Sequence, residues 1–139
     1  MKKRYYVFKE FNKEPKIIEI EATNEALAEA DRDFCKKCGS NGLTMHQTSS
    51  HKVTIGGIYM VCADEFYELR EQPNFGITNG VALEVVYGNA VFSKKGFVDE
   101  DYIMTGMDFE EALGLLEGFF TVEGGEVPIF DTRYIGWTA

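Results

Sequence analysis

The sequence predicts a single α+β domain, residues 1–139, built of antiparallel hairpins with two to three helices packed on the sheet. Three observations carry that reading. Strand-like and helix-like segments interleave mostly as hairpins followed by helices, not as alternating βα units. Gly-Gly, Gly-Asn and Asn/Pro-containing turns separate short runs of β-branched and aromatic residues. The chain has 139 residues, 45% hydrophobic and 14% aromatic, which suits one packed core and argues against disorder.

Residues 4–11 and 17–22 read as two strands joined by Asn12-Lys13-Glu14-Pro15-Lys16. The first is apolar on both faces, as a central strand must be. In the second, Ile18 and Ile20 alternate with Glu19 and Glu21, leaving one face wet. Thr23 or Asn24 caps a helix over 24–38 whose inward stripe is Leu27, Ala30, Phe34 and Cys38, with Gly39 as its stop. The stretch from Ser40 to Ser50 is polar and lacks periodicity. Val53 to Met60 reads as a tight hairpin around Gly56-Gly57, followed by a short helix over 65–71 that Asp64 caps and Pro73 ends. Residues 81–87 and 90–92 form a second expected hairpin around Gly88-Asn89. Asp108 and Glu111 make a capping box for a helix to Gly118, with Phe109, Ala112, Leu113 and Leu116 facing in. A last hairpin joins 119–122 to 127–130.

Twenty-three acids against fourteen Lys and Arg give a net charge of −9, which argues against a general duplex nucleic-acid binder, because that affinity comes from cations on phosphates. The charge is uneven. Residues 1–16 hold six basic and two acidic side chains, and residues 17–34 hold six acids and one Arg. Residues 35–63 have three lysines and no acid, and residues 64–139 have fifteen acids and four bases. From Gly96 to Asp131 there is no base at all. An acidic face of this kind steers and docks a basic protein, and Asp99, Glu100, Asp101, Glu110, Glu111, Glu117, Glu123 and Glu126 are the candidate partner-binding residues. The alternative is a solvated surface that keeps a small domain soluble. Asp99-Glu100-Asp101 lacks the later ligands and the central Gly of an EF-hand loop.

All three cysteines and both histidines lie between Cys35 and Cys62. Cys35, Cys38, His46 and His51 have a C-x2-C-x7-H-x4-H spacing, and Cys35 to Gly42 looks like a zinc knuckle. Four such ligands would make a structural zinc site, since no position stays open for water. That is the one cofactor the sequence suggests. Against it, the apolar period from Leu27 carries a helix straight through Cys38, which makes both cysteines core residues and both histidines loop residues. A Cys–His nucleophilic dyad is a third alternative, with no local protease signature around any cysteine. Phosphate loops, dinucleotide fingerprints and nucleophile elbows are absent, and catalytic residues are accordingly assigned to none. Tyr134 and Trp137 suit either an interface or a C-terminus pinned on the core.

The basic start Met1 to Arg4 is followed by charge within a few residues, so it lacks the apolar region of a signal peptide. No run is long enough to cross a membrane, and three cysteines do not form a secreted framework; the expected compartment is the cytoplasm, with no membrane contact. The run Ile18 to Ala30 resembles a strand–cap–helix pattern frequent in small accessory proteins of phages and conjugative elements, over about a fifth of the chain. The resemblance implies a small non-catalytic modulator. The expected function is protein–protein contact through the acidic half, as in an inhibitor of a nucleic-acid-binding machine; a zinc-stabilised interaction module over 35–62 and a small Cys/His enzyme are the alternatives.

Overall fold

Alternation along the first strand explains the architecture. The computed structural model describes residues 2–38, 44–47, 57–62, 72–78, 80–81, 83–125 and 127–132. Strand β1 (Lys3–Lys9) buries both faces: Tyr6 and Phe8 point one way and Val7 the other, into two separate apolar clusters. It pairs antiparallel with β2 (Lys16–Glu21) on one side and with the start of β7 (Ala90–Val98) on the other. Next come β4 (Tyr59–Cys62) and β3 (Thr44–Gln47), giving the order β2-β1-β7-β4-β3, while β8 (Asp101–Gly106) pairs with the far half of β7. A second sheet has the order β6-β5-β10-β9, from β6 (Leu83–Tyr87), β5 (Pro73–Thr78), β10 (Ile129–Asp131) and β9 (Phe119–Phe120). Its β5–β10 pair is parallel; the remaining pairs are antiparallel. The fold is α+β, as expected.

Helix α1 (Asn24–Lys37) covers one face of the large sheet. Thr23 Oγ1 accepts a hydrogen bond from the Ala26 N–H at 3.1 Å, satisfying one orphan donor of the first turn. Leu27, Ala30, Phe34 and Cys38 are buried against Tyr6, Phe8, Val61 and Val91, so the expected stripe is the packed one. The opposite face receives the second sheet and helix α2 (Phe109–Glu117). Phe75, Phe92, Phe119 and Phe130 interlock there, with ring centroids 4.6 Å apart for Phe119–Phe130 and 4.9 Å for Phe92–Phe130.

Several expectations are corrected. Residues 81–87 and 90–92 are not one hairpin: β6 pairs with β5 and β7 with β1 and β4, so the chain changes sheets at Gly88-Asn89. Asn89 fixes that crossing, accepting from Phe11 N at 2.8 Å and donating to Lys37 O at 2.9 Å. Pro73 opens β5, and the expected helix 65–71 that it would end lies outside the described residues. Of the expected hairpin over 53–60, Tyr59 and Met60 pair with β3 and β7, and residues 53–55 lie outside the described residues. Within α2 the inward residues are Ala112 and Leu115, with Leu116 half-buried, whereas Phe109 and Leu113 are exposed. Phe109, though exposed, packs edge-on against Tyr5 at 5.1 Å between centroids.

Candidate functional site

The acid-rich run Asp99-Glu100-Asp101, read from sequence as a charge feature, is the turn of a β-hairpin. Asp99 has φ +53°, a left-handed conformation that Asp tolerates better than most residues. Val98 faces Asp101 and Phe97 faces Tyr102 across the strands. Phe97 and Tyr102 stack with centroids 4.9 Å apart, yet they are 75% and 53% exposed. The Lys95 ammonium sits 4.8 Å from the centre of the Tyr102 ring. The result is an aromatic pair beside three exposed carboxylates.

The root of this hairpin is held from three directions. Arg4 donates to Thr105 O at 2.9 Å and Gly106 O at 2.8 Å, and its third bond reaches Asp108 Oδ1 at 3.1 Å. Asp31 on α1 accepts from Met104 N at 3.0 Å. Ser93 Oγ accepts from Gly106 N at 2.8 Å and donates to Lys94 O at 2.7 Å. Lys94 in turn pairs with Glu111 of α2 at 2.6 Å. A large exposed aromatic surface on a fixed base loses little entropy on binding, which is why such residues dominate interface energetics.

The eight candidate acids are not one set. Asp99, Glu100 and Asp101 share the hairpin turn. Glu110 and Glu111 lie in the first turn of α2 and Glu117 in its last, roughly 10 Å further along the axis. Glu123 is in the turn after β9, and Glu126 lies outside the described residues. Asp99 is five residues beyond Lys94, the partner of Glu111, and so roughly 16 Å along the strand from it. Glu111 has a structural duty besides: its carboxylate accepts from Asp108 N at 3.0 Å, closing the expected capping box. Phe97, Tyr102 and Lys95 were not among the expected site residues. The readable signal was an aromatic on either side of Val98 to Asp101, a pattern that suits a cross-strand pair flanking a two-residue turn.

Cys35 and Cys38 are not in a knuckle turn. Cys35 is helical, and Cys38 caps the helix with its N–H bonded to Phe34 O at 2.9 Å. Cys38 is buried between α1 and the sheet, and that burial pushes its thiol well above the ordinary range, with Cys62 and Cys35 adding and Lys37 opposing. Cys35 is half-buried, and its thiol is raised by desolvation and by Asp31, against Lys95. These shifts disfavour the free thiolate that nucleophilic chemistry requires. The backbone of His46 lies in β3 opposite Met60; its side chain, and all of His51, lie outside what is described. Among the described residues no three His, Cys, Asp or Glu side chains are grouped to hold a metal ion. Tyr134 and Trp137 also lie outside the described residues.

No helix among the described residues is long and apolar enough to cross a membrane. Compared with protein-family models, curated proteins and solved structures, the chain matches none.

Proposed function

We propose that the protein is a non-catalytic modulator that docks the β7–β8 hairpin onto a basic protein. The observation that carries this reading is the exposed Phe97–Tyr102 stack beside Asp99, Glu100 and Asp101. The aromatic pair supplies apolar area to a recess in the partner, and the carboxylates meet Lys and Arg around it. The excess acid elsewhere on the second half of the chain steers encounter from a distance without needing direct contact. A partner surface of this character is also the kind that holds nucleic-acid phosphates, so occupying it competes with nucleic acid.

Immobilised protein and two variants, Phe97→Ser/Tyr102→Ser and Asp99→Asn/Glu100→Gln/Asp101→Asn, test this on a bacterial lysate at low and high ionic strength. The expected result is a basic protein retained by the parent at low salt, lost at high salt, and lost from both variants. Capture of a partner that is acidic, indifferent to salt or retained by both variants overturns the proposal, as does no capture at all.

A further inference from the structure

We infer that a second, independent site lies at the end of β1, where Lys9 and Asn74 form the polar wall of a cavity of about 480 Å³ that takes a small aromatic carboxylate. Lys9 and Asn74 are each only 2% exposed. Asn74 is fully engaged: its amide donates to Lys9 O at 2.8 Å and Gly88 O at 2.6 Å, and its Oδ1 accepts from Lys9 Nζ at 2.6 Å. The Lys9 ammonium has three protons. One goes to Asn74 and one to Glu10 O at 3.0 Å, both neutral acceptors. Among the described residues no carboxylate forms an ion pair with Lys9. A cation withdrawn from water and left with neutral partners favours an incoming anion, since ionised hydrogen bonds are the strong ones.

The remaining charges on this wall do not supply that anion. Lys13 is also cationic and pairs with Glu10 at 2.8 Å, while Glu14, the one acid among the described residues that line the cavity, acts on Lys9 through its field. Among the described residues, the other elements contribute neutral groups such as Gln72 and Thr121. Phe11 and Phe120, both exposed, line the cavity with apolar side chains suited to a flat ligand body, next to Phe119. A cavity of this size falls within the range of small-molecule sites. Desolvation also lowers the Lys9 pKa from its ordinary value, which ties binding to pH.

Nuclear magnetic resonance titration with benzoate, benzamide and benzylamine tests the assignment. Benzoate is expected to shift the Asn74 side-chain amide and the Phe119 and Phe120 resonances at millimolar concentration, with benzamide weaker and benzylamine inert. Lys9→Met weakens benzoate by about tenfold or more, and Lys9→Arg retains part of the binding. Because Lys9→Met removes a buried bond, a second readout uses the parent protein. Its benzoate affinity falls as pH rises through the lowered lysine pKa, while benzoate itself stays ionised. Equal binding of benzylamine, shifts away from these residues, affinity flat with pH, or no benzoate binding overturns the inference.

Discussion

Replacing Gly106 with alanine should loosen the base on which the hairpin stands. Gly106 ends β8 with φ +76°, the left-handed region, where a Cβ costs roughly 1–2 kcal/mol. A Cβ built there also meets Arg4 Cβ at 2.8 Å, Tyr5 O at 3.1 Å and Tyr5 N at 3.2 Å. Two of those neighbours are backbone atoms of β1, tied by the Tyr5–Met107 bridge with N–O distances of 3.0 and 2.8 Å, so they cannot step aside cheaply. Overpacking of this kind adds about 1–3 kcal/mol, for a total of about 2–5 kcal/mol. Gly124 is the internal control. Its φ is +78°, but a Cβ there meets nothing within 4 Å, so Gly124→Ala carries the backbone term alone. The entropy lost by the unfolded chain is common to both variants and cancels in the comparison. Urea unfolding of the two variants measures the difference, expected at about 1–3 kcal/mol. Equal destabilisation of Gly106→Ala and Gly124→Ala would refute the packing argument.

Glu111→Ala removes both the Lys94 ion pair and the bond to Asp108 N, and denaturant unfolding should show a loss of about 1–3 kcal/mol, against about 0.5 kcal/mol or less for exposed Glu110→Ala. Equal effects at the two positions would contradict the structural duty assigned to Glu111. Burial raises the Tyr6 phenol above its ordinary value of 10.0, with Asp31 adding and Arg4 opposing. The unfolded chain therefore ionises first, and stability falls as pH climbs above about 10. Tyr6→Phe flattens that alkaline slope, and an unchanged slope counts against the burial of the phenol. Alkylation by iodoacetamide, mapped by mass spectrometry on the native protein, should label half-buried Cys35 before buried Cys38; the reverse order would contradict the core placement of Cys38.

Local chemistry made part of this fold readable. The Thr23 cap and the Leu27 to Cys38 stripe locate α1 because a helix start and a 3.6-residue period are both written within fifteen residues. The two-faced apolar character of residues 5–8 likewise marks a central strand. Other elements depend on partners distant in sequence. The sequence reading ends a strand at Phe92, whereas β7 runs on to Val98 through Lys94, which pairs with Glu111 of α2, and Lys95, which lies over Tyr102. Strand β8 was hidden by an acidic turn that resembles a solvated loop. The expected inward face of α2, Phe109, Ala112, Leu113 and Leu116, is offset from the buried one, since Ala112 and Leu115 pack inward while Phe109 and Leu113 stay exposed. For the proposed site, the sequence groups Asp99, Glu100 and Asp101 with five other acids. Their significance comes from the neighbouring aromatic stack, which exists only once β7 and β8 pair.

The central claim is that the hairpin tip is a contact surface and not part of the core. The affinity of the captured basic protein for the parent and for Phe97→Ser/Tyr102→Ser, measured alongside thermal unfolding, tests it most directly. Binding should weaken about 30-fold or more, while the melting temperature stays within about 4 °C of the parent, as two exposed rings allow. Unchanged affinity, or a large loss of stability, would contradict it.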